Sequence, residues 1–256
     1  MNQSIYYNIK KFRKIVTCGF FTSKGGTSKG NFHSLNCSKS NKDNKINVSR
    51  NIKIALKNLN IDSKKLKLIN QIHPNKTYII NDNNFNKKLY GDGLISKSKN
   101  IALGVLTADC APIFLFDNKK RIICCLHSGW RGTLLNIIKE GINKIEYNKI
   151  NRKDIIAIVG PCIGFKNYEV DKKFKSKFIK KNIQYSQFFK PKNKTKDLFN
   201  LRGLINYQLK RERISNIFNI KKDTYKNSQI FFSHRRMNHQ NRSSEGRMIN
   251  IISLKD

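Results

Sequence analysis

Three residues of the kinds that bind soft metal ions stand beside apolar segments of the chain: His73, Cys110 and His127. A thiolate and two imidazoles suit Zn²⁺, and three protein ligands leave a fourth position open for water or a substrate. A residue that interrupts regular structure lies close after each of them: Pro74, Pro112 and Gly129. The three side chains are therefore candidates for a metal site at an exposed corner of the fold.

The same residues allow other interpretations. The 37 residues from His73 to Cys110 and the 17 residues from Cys110 to His127 match no compact zinc motif. A buried cysteine commonly packs as a small apolar side chain, and a histidine at a strand end is commonly only a hydrogen-bonding residue. Cys110 could also act as a nucleophile with His127 as its base, as in a thiol hydrolase. Spacing alone leaves these alternatives open.

Apolar patterns predict the elements that position these residues. Three consecutive segments are nearly continuous in apolar residues, so we expect strands covered on both faces: 101–107, 111–117 and 121–128. The break at 118–120 suits a hairpin between the last two. Further strands are predicted at 66–73, 77–80, 154–160, 230–235 and 247–254.

Helices and loops complete the prediction. Apolar residues at helical spacing predict helices at 48–60, 134–145 and 201–214, and the Lys-rich region 171–196 is predicted as a helix followed by an exposed loop. The segment 19–36 is rich in Gly and Ser and is predicted as a loop between short strands. Strands and helices alternate only partly, which favours a mixed sheet over a doubly wound parallel one. We predict an N-terminal segment, 1–18, and a single α/β domain, 19–256, with a mixed β-sheet core flanked by helices.

The charge of the chain is strongly basic, with 52 Lys and Arg against 16 Asp and Glu and a formal net charge of +36. Such a field attracts nucleic acids, nucleotides and anionic membranes at low salt. The basic residues are spread along the chain among many Asn and Ile, which share A/T-rich codons with Lys, and this is typical of a solvated surface. No zinc finger, RNA-recognition signature or basic region with heptads is present. We expect no specific nucleic-acid partner; a basic nucleic-acid-binding protein is the alternative from a different class.

The cysteines and the N-terminus indicate a cellular location. The six cysteines contain no CxxC pair, which argues against a disulfide framework and against a structural zinc site. The N-terminal sequence lacks the apolar core of a signal peptide, and no stretch is apolar over the ~18 residues that a membrane helix needs. We expect reduced cysteines, no membrane association and a cytoplasmic location.

Several motifs carry a resemblance to one family. In chain order they are GFFTSKGGTSKGNFHSLNCS (19–38), QIHPN (71–75), GDGLISKS (91–98), LGVLTADCAPI (103–113), CLHSGWRG (125–132), VGPCIGFKNYEV (159–170), FFSHRR (231–236) and GRMINIISL (246–254). Together they resemble the laccase-domain family, once called multicopper polyphenol oxidases, some of whose members are described as peptidoglycan editing factors. TADC followed by HSGWRG is highly specific, and the resemblance covers residues 19–254.

The resemblance implies both the metal ligands and the reaction. The family's ligands are the His of QxH, the Cys of ADC and the first His of HxGWRG, which fall on His73, Cys110 and His127. It also implies a zinc-dependent purine nucleoside phosphorylase that cleaves adenosine, inosine, guanosine or 5′-methylthioadenosine with phosphate. Deamination of adenosine is implied as a second activity. The expected partners are therefore purine nucleosides and phosphate.

Other residues near these motifs are candidates for substrate contacts. Phosphorolysis needs cations to hold the phosphate, and Arg131 in the GWRG turn is the first candidate. Arg235, Arg236 and Arg247 could supply further substrate contacts, although each could equally brace a loop. Asp109 could act in acid–base catalysis beside Cys110. Adjacent side chains on a strand point to opposite faces, however, which favours a supporting role for Asp109.

The chain departs from the family pattern at four positions, none of them a proposed ligand. These are Cys18 and Ser23 near the opening motif, Pro74 after the QxH histidine, and His234, where Tyr is usual. Ser23 and His234 are expected to change substrate contacts. The family's older label suggests copper-dependent polyphenol oxidation, but a laccase copper cluster needs more histidine ligands than the five that the chain contains.

The charge leads to a first prediction. If the basic residues form a solvated surface, raising the salt from about 50 to about 200 mM should weaken nonspecific DNA binding steeply and leave kcat on neutral adenosine nearly unchanged. Fluorescence anisotropy with a labelled duplex and steady-state rates in the same buffers measure the two effects. Nanomolar, sequence-selective binding that persists at physiological salt would instead favour the nucleic-acid-binding alternative.

Overall fold

A computed structural model describes residues 6–8, 10–61, 64–73, 75–119 and 121–255. Pro74, which was expected to turn the chain after His73, and Lys120, in the expected hairpin break, lie outside the described residues. No helix among the described residues is both long and apolar enough to cross a membrane.

Within these ranges the chain forms fourteen strands and six α-helices. The strands are β1 Tyr6–Asn8, β2 Val16–Phe21, β3 Lys65–Leu68, β4 Thr77–Ile80, β5 Gly93–Ser96, β6 Ile101–Thr107, β7 Ala111–Asp117, β8 Ile123–Ser128, β9 Ile155–Val159, β10 Glu169–Asp171, β11 Phe189–Pro191, β12 Lys196–Phe199, β13 Asn216–Asn219 and β14 Met248–Leu254. The helices are α1 Lys45–Asn58, α2 Trp130–Leu134, α3 Ile137–Tyr147, α4 Lys172–Lys181, α5 Leu201–Arg211 and α6 His234–His239. Short 3-10 helices lie at Lys10–Phe12, Gly30–Phe32, Arg152–Asp154, Phe165–Asn167 and Ile183–Phe188.

The strands form two large mixed sheets and one small antiparallel sheet. The five-stranded sheet has the order β1-β2-β14-β6-β3, in which only β3 and β6 are parallel. The six-stranded sheet has the order β13-β9-β7-β8-β5-β4, and its two outer pairs are parallel. The small sheet is β10-β12-β11. The expected mixed α/β fold is confirmed, with the core divided between two sheets.

Alternating side chains on the strands explain the layers. Phe20 on β2 and Phe114 on β7 stack with their ring centroids 4.3 Å apart, so the two large sheets pack face to face. The next residue along β2, Phe21, points to the opposite face and packs with α1. On the far side of the six-stranded sheet, Ile113 and Leu115 pack in a cluster with α3 and α5. The molecule therefore has helix, sheet, sheet and helix layers.

Most predicted elements are confirmed, including the strands at 101–107 and 111–117 and the hairpin between β7 and β8. The predicted strand 66–73 ends at Leu68, and the predicted helix 134–145 is two helices separated at Asn136, whose φ is 59° and whose side chain caps α3. The predicted loop 19–36 is shorter, because β2 continues to Phe21. The sequence-based boundary between residues 18 and 19 falls inside β2.

One prediction about the second half of the chain is wrong, and another holds only in part. The segment 230–235 is not a strand, because the Ser233 hydroxyl accepts a hydrogen bond from the Arg236 amide and so caps α6. The exposed loop predicted for the end of 171–196 is confirmed only at 192–195. Before it, a 3-10 helix leads into β11, because Phe188 and Phe189 are buried with Phe199 of β12 in the cluster under α5.

The contact between the large sheets leads to a stability prediction. Phe114 is fully buried against Phe20, so we expect Phe114→Ala to lower the free energy of unfolding by about 3–5 kcal/mol. Urea denaturation of both proteins gives this difference. Tyr147→Ala is the control, because Tyr147 is 87% exposed and its loss should cost less than about 0.5 kcal/mol. A Phe114→Ala protein as stable as the control would contradict this packing.

Candidate metal centre

The three predicted ligands come together at one cavity of about 500 Å³. His127 is at the end of β8, Cys110 is in the turn between β6 and β7, and His73 is in the loop after β3. Antiparallel pairing of β7 with β8 puts Pro112 opposite His127, so the turn that carries Cys110 lies beside the end of β8. The imidazole rings of His73 and His127 are 5.0 Å apart between centroids.

A buried carboxylate fixes the orientation of His127. Its Nδ1 is 2.5 Å from Oδ1 of Asp92, and both residues are almost completely buried. The backbone amide of His127 also donates to the Asp92 carbonyl, and Oδ2 of Asp92 accepts from the amide of Ile72. With Nδ1 engaged, Nε2 of His127 is the nitrogen that remains for a ligand. Although burial lowers the pKa of His127, the charge of Cys110 and hydrogen bonds with Asp92 and Cys110 raise it to about 9.

The loop that carries His73 is attached to the end of β6. The side-chain amide of Gln71 donates to the carbonyl of Leu106 and accepts from its amide, at 2.8 and 2.7 Å. His73 itself has a φ of 64°, in the left-handed region that residues other than glycine seldom adopt. Burial lowers the pKa of His73, and the positive charges of His127, Arg131 and Arg247 lower it further. The neutral imidazole is the form that binds a metal.

A glycine leaves room for the sulfur. A Cβ atom at position 129 would lie 2.7 Å from the Sγ of Cys110 and 3.5 Å from Nδ1 of His73. Because contacts under 3.0 Å do not occur between real atoms of this kind, only glycine fits there without displacing the cysteine. The Sγ of Cys110 and the Nδ1 of His73 therefore both lie close to the backbone of Gly129.

The donor atoms of this site suit a metal ion. Potential ligand atoms of His73, Asp92 and His127 lie within 4.8 Å of one another, and Cys110 lies on the wall of the same cavity. Since both carboxylate oxygens of Asp92 already accept hydrogen bonds, Asp92 is placed to orient His127 and not to bind the ion directly. Sequence reasoning missed Asp92. The indications were its place in the motif GDGLISKS (91–98) and its position between two glycines before a buried strand.

Asp109 makes the contacts of a supporting residue, which is the role that the sequence favoured over acid–base catalysis. It has a φ of 84° and a buried carboxylate that accepts hydrogen bonds from Thr224 Oγ1, Ser233 Oγ and the amide of Arg235, at 2.6, 2.9 and 2.7 Å. Burial raises the pKa of Asp109 despite these bonds. The carboxylate joins the turn of Cys110 to the start of α6, and it is not part of the cavity wall.

The four predicted anion-binding arginines are placed differently. Arg247 lines the cavity and Arg131 does not, but the positive charge of each lowers the pKa of His73. Arg131 is exposed and stacks on Trp130, with 4.5 Å between the guanidinium carbon and the ring centroid. Among the described residues, no carboxylate forms an ion pair with Arg131. Its guanidinium is therefore available to an anion, and its charge is close enough to lower the pKa of His73.

Arg235 and Arg236 donate to backbone carbonyls. Arg235 lies over the ring of Tyr168 and donates to the carbonyl of Glu169. Arg236 donates to three carbonyls, those of Thr224, Tyr225 and Phe231. Neither side chain lines the cavity with the predicted ligands. This arrangement is that of braces for the loops around α6.

Another part of the cavity wall has a pair of residues that share one acid. His234 and Arg247 both line the cavity, and both contact the buried carboxylate of Glu245. Of the two departures expected to change substrate contacts, only His234 faces this cavity; Ser23 is buried and lines a different one. Glu245 was also missed by sequence reasoning.

Comparisons with known proteins extend these findings. The profile of the family described as multi-copper polyphenol oxidoreductase laccase matches residues 17–255. A Rickettsia conorii protein named purine nucleoside phosphorylase is 34% identical over 190 residues, which cover 73% of this chain and 78% of that protein. The purine nucleoside phosphorylase YlmD of Bacillus subtilis is 29% identical over 258 residues, covering 95% and 90% of the two chains. The crystal structure of the hypothetical protein YfiH from Bacillus licheniformis is similar with a TM-score of 0.91 at 27% identity, over 99% of this chain and 97% of that one.

These similarities agree with the resemblance carried by the sequence motifs. The profile match begins in β2 and ends after β14, so it includes every residue of the cavity wall described above. The motifs, the fold and this match together show that the chain belongs to the multi-copper polyphenol oxidoreductase laccase family.

Proposed function

We propose that the protein is a zinc-dependent purine nucleoside phosphorylase. The observation that carries the proposal is the convergence of His73, Cys110 and His127 on one cavity, with Asp92 behind His127. Relatives such as the Rickettsia conorii and Bacillus subtilis proteins have the name of this activity. We extend it to adenosine, inosine, guanosine and 5′-methylthioadenosine as substrates, with adenosine deamination as a second activity and the cytoplasm as the location.

The donor set favours zinc. Two imidazoles and one thiolate make three protein ligands, which leaves one coordination position open. A zinc ion bound there supplies a Lewis acid and lowers the pKa of a coordinated water. Copper is named in the family's description. Among the described residues, however, the cavity wall has three histidines, His73, His127 and His234, which are too few for a laccase copper cluster. We therefore do not propose polyphenol oxidation.

The cavity and its charges suit a nucleoside and phosphate. A volume of about 500 Å³ is within the ~300–1,000 Å³ range of pockets that take small ligands. Positive charge for phosphate comes from Arg247 and Lys39 on the wall and from Arg131, whose charge lowers the pKa of His73. Arg235 and Arg236 are left out of the proposed substrate site because their guanidinium groups are used by backbone carbonyls. Asp109 is left out as an acid–base group because three hydrogen bonds occupy its carboxylate.

A thiol hydrolase is the second candidate function, because one observation favours it. Cys110 lines the same cavity as His127 and raises its pKa, and His127 is hydrogen-bonded to Asp92. A thiol, an imidazole and an orienting carboxylate in this sequence of contacts also form a nucleophilic triad. Such an enzyme would act on cell-wall peptides without metal, so the metal content of active protein separates the two functions.

Metal content gives a direct prediction. We expect about one Zn²⁺ per chain in the wild type and its loss in His73→Ala, Cys110→Ala or His127→Ala, since each change removes one of three protein ligands. Asp92→Asn should weaken zinc affinity by about 10- to 100-fold. The neutral amide accepts a weaker hydrogen bond from Nδ1 of His127 than the carboxylate does, so it orients the imidazole less firmly. Elemental analysis and chelator competition measure both effects.

Cys37→Ala is the matched control for the cysteine change. Cys37 also lines the cavity, but burial raises the pKa of its thiol well above the usual value, so it should remain protonated and bind no metal. The variant should keep its zinc. Full zinc occupancy in Cys110→Ala would contradict the assignment of Cys110 as a zinc ligand.

Activity itself is the second test. With phosphate present, adenosine should give adenine and ribose 1-phosphate, and inosine formed without phosphate should report deamination. Both reactions should fail in Cys110→Ala because they share one site. Arg131→Ala and Arg247→Ala each remove a charge-assisted contact of ~2–4 kcal/mol, and each should slow phosphorolysis roughly 30- to 1000-fold while affecting deamination less.

Chromatographic identification of the products distinguishes the outcomes. Equal losses of both reactions in Arg131→Ala would mean that this residue supports the loop and not the anion. Zinc-loaded wild-type protein that converts no purine nucleoside would refute the proposed function, and the thiol hydrolase would then become the first candidate.

A further inference from the structure

One buried carboxylate organises the wall of the cavity that does not belong to the metal site. Glu245 is 6% exposed, and its Oε1 lies 2.7 Å from a guanidinium nitrogen of Arg247 and 3.2 Å from Nδ1 of His234. His234 is the first residue of α6, and its side chain is 55% exposed. It lines the same cavity as the proposed zinc ligands.

This contact determines which nitrogen of His234 can act on a ligand. Because Glu245 accepts from Nδ1, Nε2 is the nitrogen left for a substrate. The side-chain amide nitrogen of Asn238, one turn further along α6, is 3.4 Å from Nε2. This contact is long and on an exposed side chain, so a substrate can replace it. An imidazole with a carboxylate on one nitrogen and a replaceable contact at the other is suited to proton transfer.

Phosphorolysis of a purine nucleoside requires such a group. When the bond from C1′ to N9 breaks, its electron pair passes into the purine ring, and the base leaves as an anion unless a proton reaches it. The imidazoles and thiol on the other wall are committed to the proposed zinc site. The carboxylate of Asp109 is occupied by three hydrogen bonds, and Arg247 and Lys39 have charges suited to phosphate.

We propose that His234 protonates N7 of the departing purine, an inference that rests on the proposed function. An oxygen of phosphate forms a bond with C1′ while the bond from C1′ to N9 breaks and its electron pair enters the ring. The proton on Nε2 of the His234 imidazolium passes to N7, so the base leaves neutral. His234 is left as the neutral imidazole and recovers a proton from solvent, to which its side chain is open. Glu245 is a positioning residue that holds Nδ1.

A pair of substrates tests this role. Guanosine needs a proton at N7 to leave as a neutral base, whereas 7-methylguanosine already bears a methyl group and a positive charge there. We expect His234→Ala to lower kcat/KM for guanosine by about 10²- to 10⁴-fold and that for 7-methylguanosine by less than about tenfold. Glu245→Gln should show the same selectivity with a smaller loss on guanosine.

His239→Ala is the matched control. His239 is on the same helix, but its Nδ1 is 2.9 Å from the hydroxyl of Tyr225 and its side chain is not part of the cavity wall. Both substrates should be cleaved by this variant as by the wild type. Zinc content and circular dichroism of each protein, with His234→Gln as a second variant, exclude loss of the site by misfolding.

The outcomes separate the inference from the function on which it rests. Equal losses on the two substrates in folded, zinc-loaded His234→Ala would overturn the inference, because His234 would then act in binding alone. Undiminished cleavage of guanosine by that variant would overturn it as well, while the proposed function would stand. Wild-type protein that cleaves neither nucleoside would refute the proposed function first and the role of His234 with it.

Discussion

The hydrogen bond between Asp92 and His127 is the contact on which the architecture of the site depends. It is buried between strands, so water cannot replace either partner, and an unpaired carboxylate there would be costly. Asp92 also fixes the neighbouring chain, through its carbonyl to His127 and through its carboxylate to Ile72. One acid therefore orients one ligand and holds the segment that leads into the other, His73.

A second acid does the same for the turn that carries Cys110. Asp109 is in the left-handed region and reaches away from the cavity to Thr224, Ser233 and Arg235, which are more than a hundred residues away in the chain. Because Asp109 is anchored on the side away from the cavity, the turn can place the sulfur of Cys110 on the cavity side. The same anchor positions the start of α6, and with it His234. The two walls of the cavity are coupled through this carboxylate.

The sequence predicts the strands better than it predicts their arrangement. Segments 101–107 and 111–117 are apolar at nearly every position, which correctly indicates burial on both faces. For the same reason they contain no alternation that would reveal which face meets another sheet and which meets a helix. The pairing of Phe20 with Phe114 joins distant segments, and no local pattern predicts it.

The candidate site shows a similar division. The motifs led to His73, Cys110 and His127, and the structure brings these three residues to one cavity. They gave no indication that Arg236 would be used by backbone carbonyls, because a guanidinium group has the same sequence signature whether it meets a phosphate or a loop. The strand predicted at 230–235 is wrong because its apolar residues suggest a strand, whereas the side chain of Ser233 caps the start of a helix.

The buried acidic residues explain why this fold is compatible with a large positive net charge. In the part of the chain that the structure describes, six acidic residues are buried: Asp92, Asp109, Asp117, Asp197, Glu212 and Glu245. Each accepts at least one hydrogen bond that fixes a turn, a helix or a side chain. Asp117, for example, accepts from three backbone amides that shape the end of the β7–β8 hairpin. An excess of lysine on the surface leaves these internal contacts intact, because surface charges are screened by water and salt. The net charge can therefore change over a wide range while the buried acids, and the cavity that they organise, remain the same.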